Sequence, residues 1–440
     1  MKPLYSSLLL VIMMLTTQNA ATPAQPAKPD YVRSGNEKSA GGDSRGAIAD
    51  YTKAIALDSR DAKAHLNRGA VKLSAGDRKG ALADFAMAIK LNPKYVEAYY
   101  NSGVARNELG NYNGAIADYT KTLELNPQFA GAYFSRGVSK GSAGDNDGAI
   151  ADYTKALEQQ PANADAWNNR GILKNRMGDK DGAMADLLMA ANGWFRNGVE
   201  RFAKKDYKGA MIDFDRVISL SPKFANAWNN RGNVKNTLGD RQGALADYSK
   251  AIELDSRNPL LYANRGYVKA LLGDRGGSLA DYTRAIDSDP DNAHLYFARG
   301  MVQSSAGNAK GAIADYTKSV RLDPKFSLAF LNRGNEEFLL NMKREALADY
   351  TKAIELDTKS ADAWYNRGFL LAENGDNAKS IADLSRAIEL SPGYAKAYYK
   401  RSLAKSALGE EKKAIEDMKQ AAKLGLESAR LVLKKHGVAW

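Results

Sequence analysis

Residues 227–236 read AWNNRGNVKN. Four of these ten residues are asparagine, a poor helix former, yet near-copies stand at 64–73 (AHLNRGAVKL), 166–175 (AWNNRGILKN) and 261–270 (LYANRGYVKA). The glycine of this step recurs every 34 residues at Gly35, Gly69, Gly103, Gly137 and Gly171. After one interval of 27 to Gly198, the period of 34 returns at Gly232, Gly266, Gly300, Gly334 and Gly368, with Ser402 in the twelfth slot. An aspartate follows each of the twelve positions by 15 residues, from Asp50 to Asp417. An offset kept that many times marks an internal repeat, and a period in this range marks an array of small supersecondary units.

One unit, residues 65–93, shows what each copy builds. His65–Ser74 predicts a short helix, Gly76-Asp77 its end, Gly80–Leu91 a second helix, and Pro93 a stop. Gly69, Ala81 and Ala88 are small enough to keep the two helices close. Neither helix can bury its apolar face alone, so neighbouring units must stack. An aromatic residue stands four before the glycine in eleven units, with His65 the exception. Such a stripe reads as core packing rather than as a cofactor box.

A 34-residue unit with aromatic, glycine, alanine, aromatic, alanine and proline at these offsets resembles the tetratricopeptide repeat, over residues 30–425. The resemblance implies an all-α fold, a right-handed α-solenoid superhelix of stacked antiparallel helix pairs with a concave groove. It also implies a protein or peptide partner and no catalytic chemistry. The expected organisation is a signal peptide at 1–20, a Pro/Ala linker at 21–29, five units over 30–191, seven over 192–425, and a capping helix over 426–440.

The chain departs from that family at three slots that are usually apolar. The residue before the glycine is arginine in nine units, among them Arg231, Arg265 and Arg333. The exceptions, Ser34, Ser102 and Asn197, have a base four residues later instead: Lys38, Arg106 and Arg201. Every unit therefore carries at least one base on one face of its first helix and one aspartate on its second. A partly buried acid–base ladder is expected, with Arg231, Arg265 and Arg333 meeting Asp247, Asp281 and Asp349 in the same unit or a neighbouring one. The competing reading is a row of arginines that binds anions.

The asparagines need another account. Asn169, Asn230, Asn264 and Asn332 stand two before the glycine, and Asn233 and Asn335 one after it. In this family such positions line the groove, and around Gly232 the stripe also includes Asn226, Asn229 and Asn236. A row of amides can pair with an extended backbone without reading its sequence. Alternatively, the amides bond within the scaffold or face water. Further along, Tyr365 and Phe369 are candidate apolar anchors.

At the short interval, only Asn192-Gly193 separates Ala191 from Trp194. We expect a tight turn there, since both residues tolerate positive φ; the alternative is one long helix over 181–202.

The N-terminal MKPLYSSLLLVIMMLTTQNA has one lysine, a short apolar run and small residues behind it. That is the layout of a secretory signal, so a periplasmic or cell-envelope location is expected. Its removal would lower the net charge from +12 only to +11. Absent cysteines exclude disulfides and thiolate chemistry, and the histidines His65, His294 and His436 lack metal-ligand spacing. No phosphate-binding loop, dinucleotide fingerprint, zinc-protease motif or nucleophile elbow is present. No cofactor, no metal, no small-molecule substrate and no nucleic acid are therefore expected, with membrane association at most indirect. Two roles remain: an exported, non-catalytic scaffold that holds protein segments in its groove, or a structural envelope component that assembles through its other surfaces.

Overall fold

The computed structural model describes residues 30–440, so the expected signal peptide and linker lie outside the described residues. The described chain is helical throughout, in consecutive antiparallel pairs. It divides into two compact units, one reaching to Ala190 and one running from Ala191 to Trp440. The first contains α1 (Tyr31–Ala40), α2 (Ser44–Leu57), α3 (Ala62–Ser74), α4 (Arg78–Leu91), α5 (Val96–Glu108), α6 (Tyr112–Leu125), α7 (Ala130–Ala143), α8 (Asn146–Gln159) and α9 (Ala164–Arg176). The boundary falls inside α10 (Lys180–Ala203). The second contains α11 (Tyr207–Leu220), α12 (Ala225–Thr237), α13 (Arg241–Leu254), α14 (Pro259–Leu271), α15 (Arg275–Ser288), α16 (Ala293–Ser305) and α17 (Ala309–Leu322). It continues through α18 (Ser327–Leu339), α19 (Lys343–Leu356), α20 (Ala361–Glu373), α21 (Asn377–Leu390), α22 (Ala395–Ala407), α23 (Glu411–Lys423) and α24 (Glu427–Lys435).

The helix ends follow from a few residues. Gly76 adopts φ +87°, a conformation that an L side chain resists, and this reverses the chain after α3. Asp77 then caps α4 by accepting from the Gly80 backbone N–H at 2.9 Å. A Cβ on Gly80 would collide with that carboxylate, which explains the glycine two residues into most of the second helices. The second helix therefore starts at Arg78, two residues earlier than its apolar pattern suggested, because the cap residue sets the boundary.

Small residues set the spacing inside each pair. Ala81, Ala88 and Phe85 are fully buried, and a Cβ on Gly69 would lie 2.6 Å from the Phe85 ring. Gly69 thus admits the aromatic ring of its partner helix. The core of one pair continues into the next: Phe85 and Ala88 cluster with Ala98, Ala105 and Tyr119. At the chain's end, α24 covers α23 with Leu433 and Ala429, joined by Val438.

The expected Asn192-Gly193 turn does not form. Both residues lie inside α10, a single helix of 24 residues. Between other pairs the reversal takes several residues, as in Asn92–Tyr95 between α4 and α5. Two residues are too few to reverse a helix of this diameter. Continuing the helix costs about 1 kcal/mol for the glycine and less for the asparagine, and Ala, Leu and Met dominate the preceding turns.

Candidate functional site

The ladder residues meet as forks. Arg231 donates from Nε and Nη2 to the two Asp247 oxygens at 2.8 and 2.7 Å. Arg265 holds Asp281 at 2.8 and 2.7 Å, and Arg333 holds Asp349 at 2.6 and 2.7 Å. Arg68, Arg136, Arg170, Arg299, Arg367 and Arg401 repeat the arrangement with Asp84, Asp152, Asp186, Asp315, Asp383 and Asp417. In each case the acid belongs to the same unit. A lysine one turn further on often joins it: Lys235 lies 2.8 Å from Asp247 and Lys269 lies 2.8 Å from Asp281. The aspartates are buried while the arginines are only partly so. These guanidinium groups therefore face carboxylates and are not an open row of anion sites.

Two further contacts complete the arginines, the first of them in every fork unit but that of Arg68, where His65 stands in the aromatic slot, and the sequence reading missed both. The face of the guanidinium lies on the aromatic residue three positions earlier; Arg170 is 4.7 Å from the Trp167 ring centroid and Arg231 is 4.7 Å from that of Trp228. The stripe that looked like plain core thus also supports the ladder. The remaining Nη1 donates to the preceding unit: Thr52, Thr120, Thr154, Asp215, Ser249, Thr283, Thr317, Thr351 and Ser385 are the acceptors. All of these stand two after the aspartate. The two units whose successor lacks the arginine have Ala86 and Leu188 at that position. Donor and acceptor therefore vary together along the chain, a signal present in the sequence.

The balance of charge sets each acid's proton affinity. Burial pushes Asp84 up, but Arg68 and Lys72 outweigh it and hold the carboxyl below its usual range. Asp186 behaves likewise with Arg170 and Lys174. Asp118, bonded to Ser102 at 2.7 Å and to Arg106 at 3.2 Å, lacks the fork, and burial raises it. Gln303 occupies the lysine slot of its unit and donates to Asp315 at 2.5 Å.

The asparagines bond to one another and to tyrosines. Asn264 donates to Asn229 at 2.9 Å, which ties α14 to α12. Tyr248 donates to Asn233 at 2.8 Å. Asn335 accepts from Tyr350 at 3.1 Å and from Asn366 at 2.8 Å, which ties α20 to α18. Asn36 repeats that pattern with Tyr51 and Asn67. Asn169 accepts from Asn168, and Asn230 from Asn233. Asn226 is exposed, while Asn236 and Asn332 are partly so. Part of the predicted groove row thus links neighbouring first helices, and Asn226 is the row's one exposed member.

Between these amides lie large exposed apolar side chains at equivalent repeat positions in the second unit: Leu260, Tyr267 and Leu271 on α14, Met301 on α16, Leu328 and Leu339 on α18, and Leu403 on α22. Leu339 is 70% exposed. Toward α22, Tyr365 stacks on Phe369 with centroids 6.4 Å apart, and Tyr394 packs on Tyr365 at 4.8 Å. An open cleft of about 480 Å³ is lined there by Tyr365, Asn366, Tyr394 and Lys396. Lys400 lies one turn from Lys396, 4.1 Å from the Phe369 centroid. Among the described residues, neither lysine has an ion-pair partner. No cluster of three or more His, Asp or Glu side chains is placed to hold a metal, and no helix is long and apolar enough to cross a membrane, again among the described residues.

Comparison with known proteins follows the same repeat. Tetratricopeptide repeat models match residues 96–129, 225–258, 265–325, 361–394 and 395–424, and TPR repeat models match 35–76, 142–178 and 334–375. No curated protein sequence matches. Among solved structures, MamA is 28% identical over 38% of this chain and 96% of its own, with a TM-score of 0.35. YrrB, described as a TPR protein with an unusual peptide-binding site, is 26% identical over 42% of this chain and 95% of its own, with a TM-score of 0.37. A tetratricopeptide repeat protein from Parabacteroides merdae is 22% identical over 56% of this chain and 97% of its own, with a TM-score of 0.42. The matched repeats together span more than half of the sequence, and those at 96–129, 225–258, 361–394 and 395–424 each coincide with one helix pair: the chain belongs to the tetratricopeptide repeat family, whose fold is a protein-interaction scaffold.

Proposed function

We propose that the protein is a non-catalytic scaffold, exported to the cell envelope, that holds an extended protein segment across the first helices of its pairs between Ala191 and Trp440. The single observation that carries this reading is the run of exposed apolar side chains at matching repeat positions, from Leu260 and Tyr267 through Met301 and Leu339 to Leu403. Repeated solvent exposure of large apolar groups in register favours a partner surface. The chemistry changes along the run. Asn226 and Asn236 offer amides to a backbone, the middle offers apolar contacts, and Lys396 and Lys400 offer positive charge beside the Tyr365–Tyr394 cleft. The segment that fits is apolar, with a carboxylate toward α22.

The test is selection of peptides from a random displayed library on the full chain, followed by affinity measurement. Tyr267→Ala with Met301→Ala is expected to weaken selected peptides at least about tenfold, and Lys396→Ala with Lys400→Ala to weaken those bearing a carboxylate. Lys121→Ala, on the second helix of its pair, serves as the control and should change nothing. Selected peptides indifferent to all four first-helix substitutions would end the reading.

A further inference from the structure

The lysine slot of the ladder holds an acid at one place only. Glu337 on α18 stands where Lys72, Lys140, Lys174, Lys235, Lys269 and Lys405 stand in their units, each of those lysines against its unit's aspartate. Glu337 is 6% exposed, and its Oε2 is buried with no hydrogen-bond partner. The Arg333 guanidinium on the same helix is 3.7 Å away but makes its close bonds to Asp349. Asp349 and Glu345 on α19 add negative charge near it. The Tyr350 phenol on α19 also lies near it; from the neighbouring helices, the Thr317 hydroxyl of α17 accepts from Arg333 and the Asn366 amide of α20 donates to Asn335. Next to it, Glu336 is also buried, but its Oε1 accepts from Ser304 at 2.6 Å. Glu337 has no such donor.

We propose that Glu337 is a proton-operated catch between α18 and α19: protonated, it fills the lysine slot as a neutral group able to donate toward Asp349; ionised, it sets a second buried negative charge against Asp349 and loosens the pair. Burial first, and then the charge of Asp349, push the Glu337 carboxyl up to about 7 against the pull of Arg333. An unfolded glutamate titrates near 4.3. Because the folded value is the higher one, the stabilisation is complete below about pH 4 and is lost as pH rises through about 7. The catch thus works across the neutral range, and no other lysine slot of the ladder holds an acid. It acts on α18, whose Leu339 lies on the proposed partner surface, but it is a property of the scaffold and does not depend on a ligand.

Hydrogen exchange on the full chain tests it, with opening of α18–α19 measured at pH 5 and pH 8.5 and corrected for intrinsic exchange. The α16–α17 pair, where Gln303 fills the same slot, is the internal reference. In the wild type, α18–α19 should open on the order of 100-fold more often at the higher pH relative to that reference. Glu337→Gln, which copies the neighbouring arrangement, and Glu337→Lys, which restores the repeat's base, should both abolish the difference. Wild-type opening that tracks α16–α17 at both pH values would overturn the proposal, as would an equal rise in Glu337→Gln. Neither readout involves peptide binding, so the proposed function and the catch fail separately.

Discussion

The pairs α12–α13 and α18–α19 are built on the same plan; they differ at the fourth ladder position and in the group that takes the arginine's third bond, Asp215 before the first pair and Thr317 before the second. Both have the arginine fork, Arg231 on Asp247 and Arg333 on Asp349, and both close a glycine onto a tyrosine ring. In the first pair Lys235 brings a second cation to the acid; in the second, Glu337 brings another acid. The backbone plan survives the exchange. The fork, with its fixed planar geometry, is what defines the pair, and the fourth position is free to carry something particular to one unit.

Removing the acid should separate the two pairs most. Asp247→Ala leaves Lys235 partly buried without its partner and Arg231 held only by the more exposed Asp215 of the preceding unit. Breaking a buried ion pair from one side costs about 3–5 kcal/mol. Asp349→Ala leaves Arg333 with Glu337, 3.7 Å away on the same helix, and removes the repulsion on that glutamate. Its cost should be smaller by about 1–2 kcal/mol. Because an array of repeats need not unfold in one step, the comparison is best read as local opening by hydrogen exchange at pH 8.5. Equal losses would mean that the fourth position contributes no more than Asp215 restores to Arg231.

Packing should not distinguish them. A Cβ on Gly232 would lie 2.7 Å from the Tyr248 ring, and one on Gly334 would lie 2.8 Å from the Tyr350 ring. Those rings are almost fully buried and have nowhere to move. Gly232→Ala and Gly334→Ala should each cost about 1–3 kcal/mol from overpacking, by the same measurement. A clear difference between them would show that the pairs differ in more than charge.

Much of this was readable from residue spacing. The period, the glycine–aromatic contact and the pairing of Arg231 with an aspartate all follow from what a repeat must bury. What escaped was anything that depends on distance across the stack. Asn192-Gly193 looks like a turn because both residues favour turns, but helix continuity is decided by how many residues a reversal needs. The asparagines look like a ligand row because they recur; only the placement of Asn335 against Tyr350 and Asn366 shows them linking helices. Glu337 was visible as an exception in the basic slot, yet its burial and its missing donor were not.

The least costly test uses the third arm of the arginine, the bond to the preceding unit. Arg136 donates to Thr120 at 3.1 Å, whereas the unit before Ser102 has Ala86 at the equivalent position. If that bond sets the register between units, it should be transferable. Ala86→Thr alone should leave stability within about 0.5 kcal/mol of wild type, because no guanidinium reaches the new hydroxyl. Ser102→Arg alone supplies the fork to Asp118 but leaves Nη1 facing a methyl group, and Arg106 must give way to the new cation. In the double variant, hydroxyl and guanidinium meet, and the coupling between the two changes should be about 0.5–1.5 kcal/mol in favour of folding. The double-mutant cycle isolates that term from the altered charge around Asp118, which is common to both arginine variants. A coupling near zero would mean that Ala86 and Ser102 vary together for reasons of packing and that the arm bonds without directing how units stack.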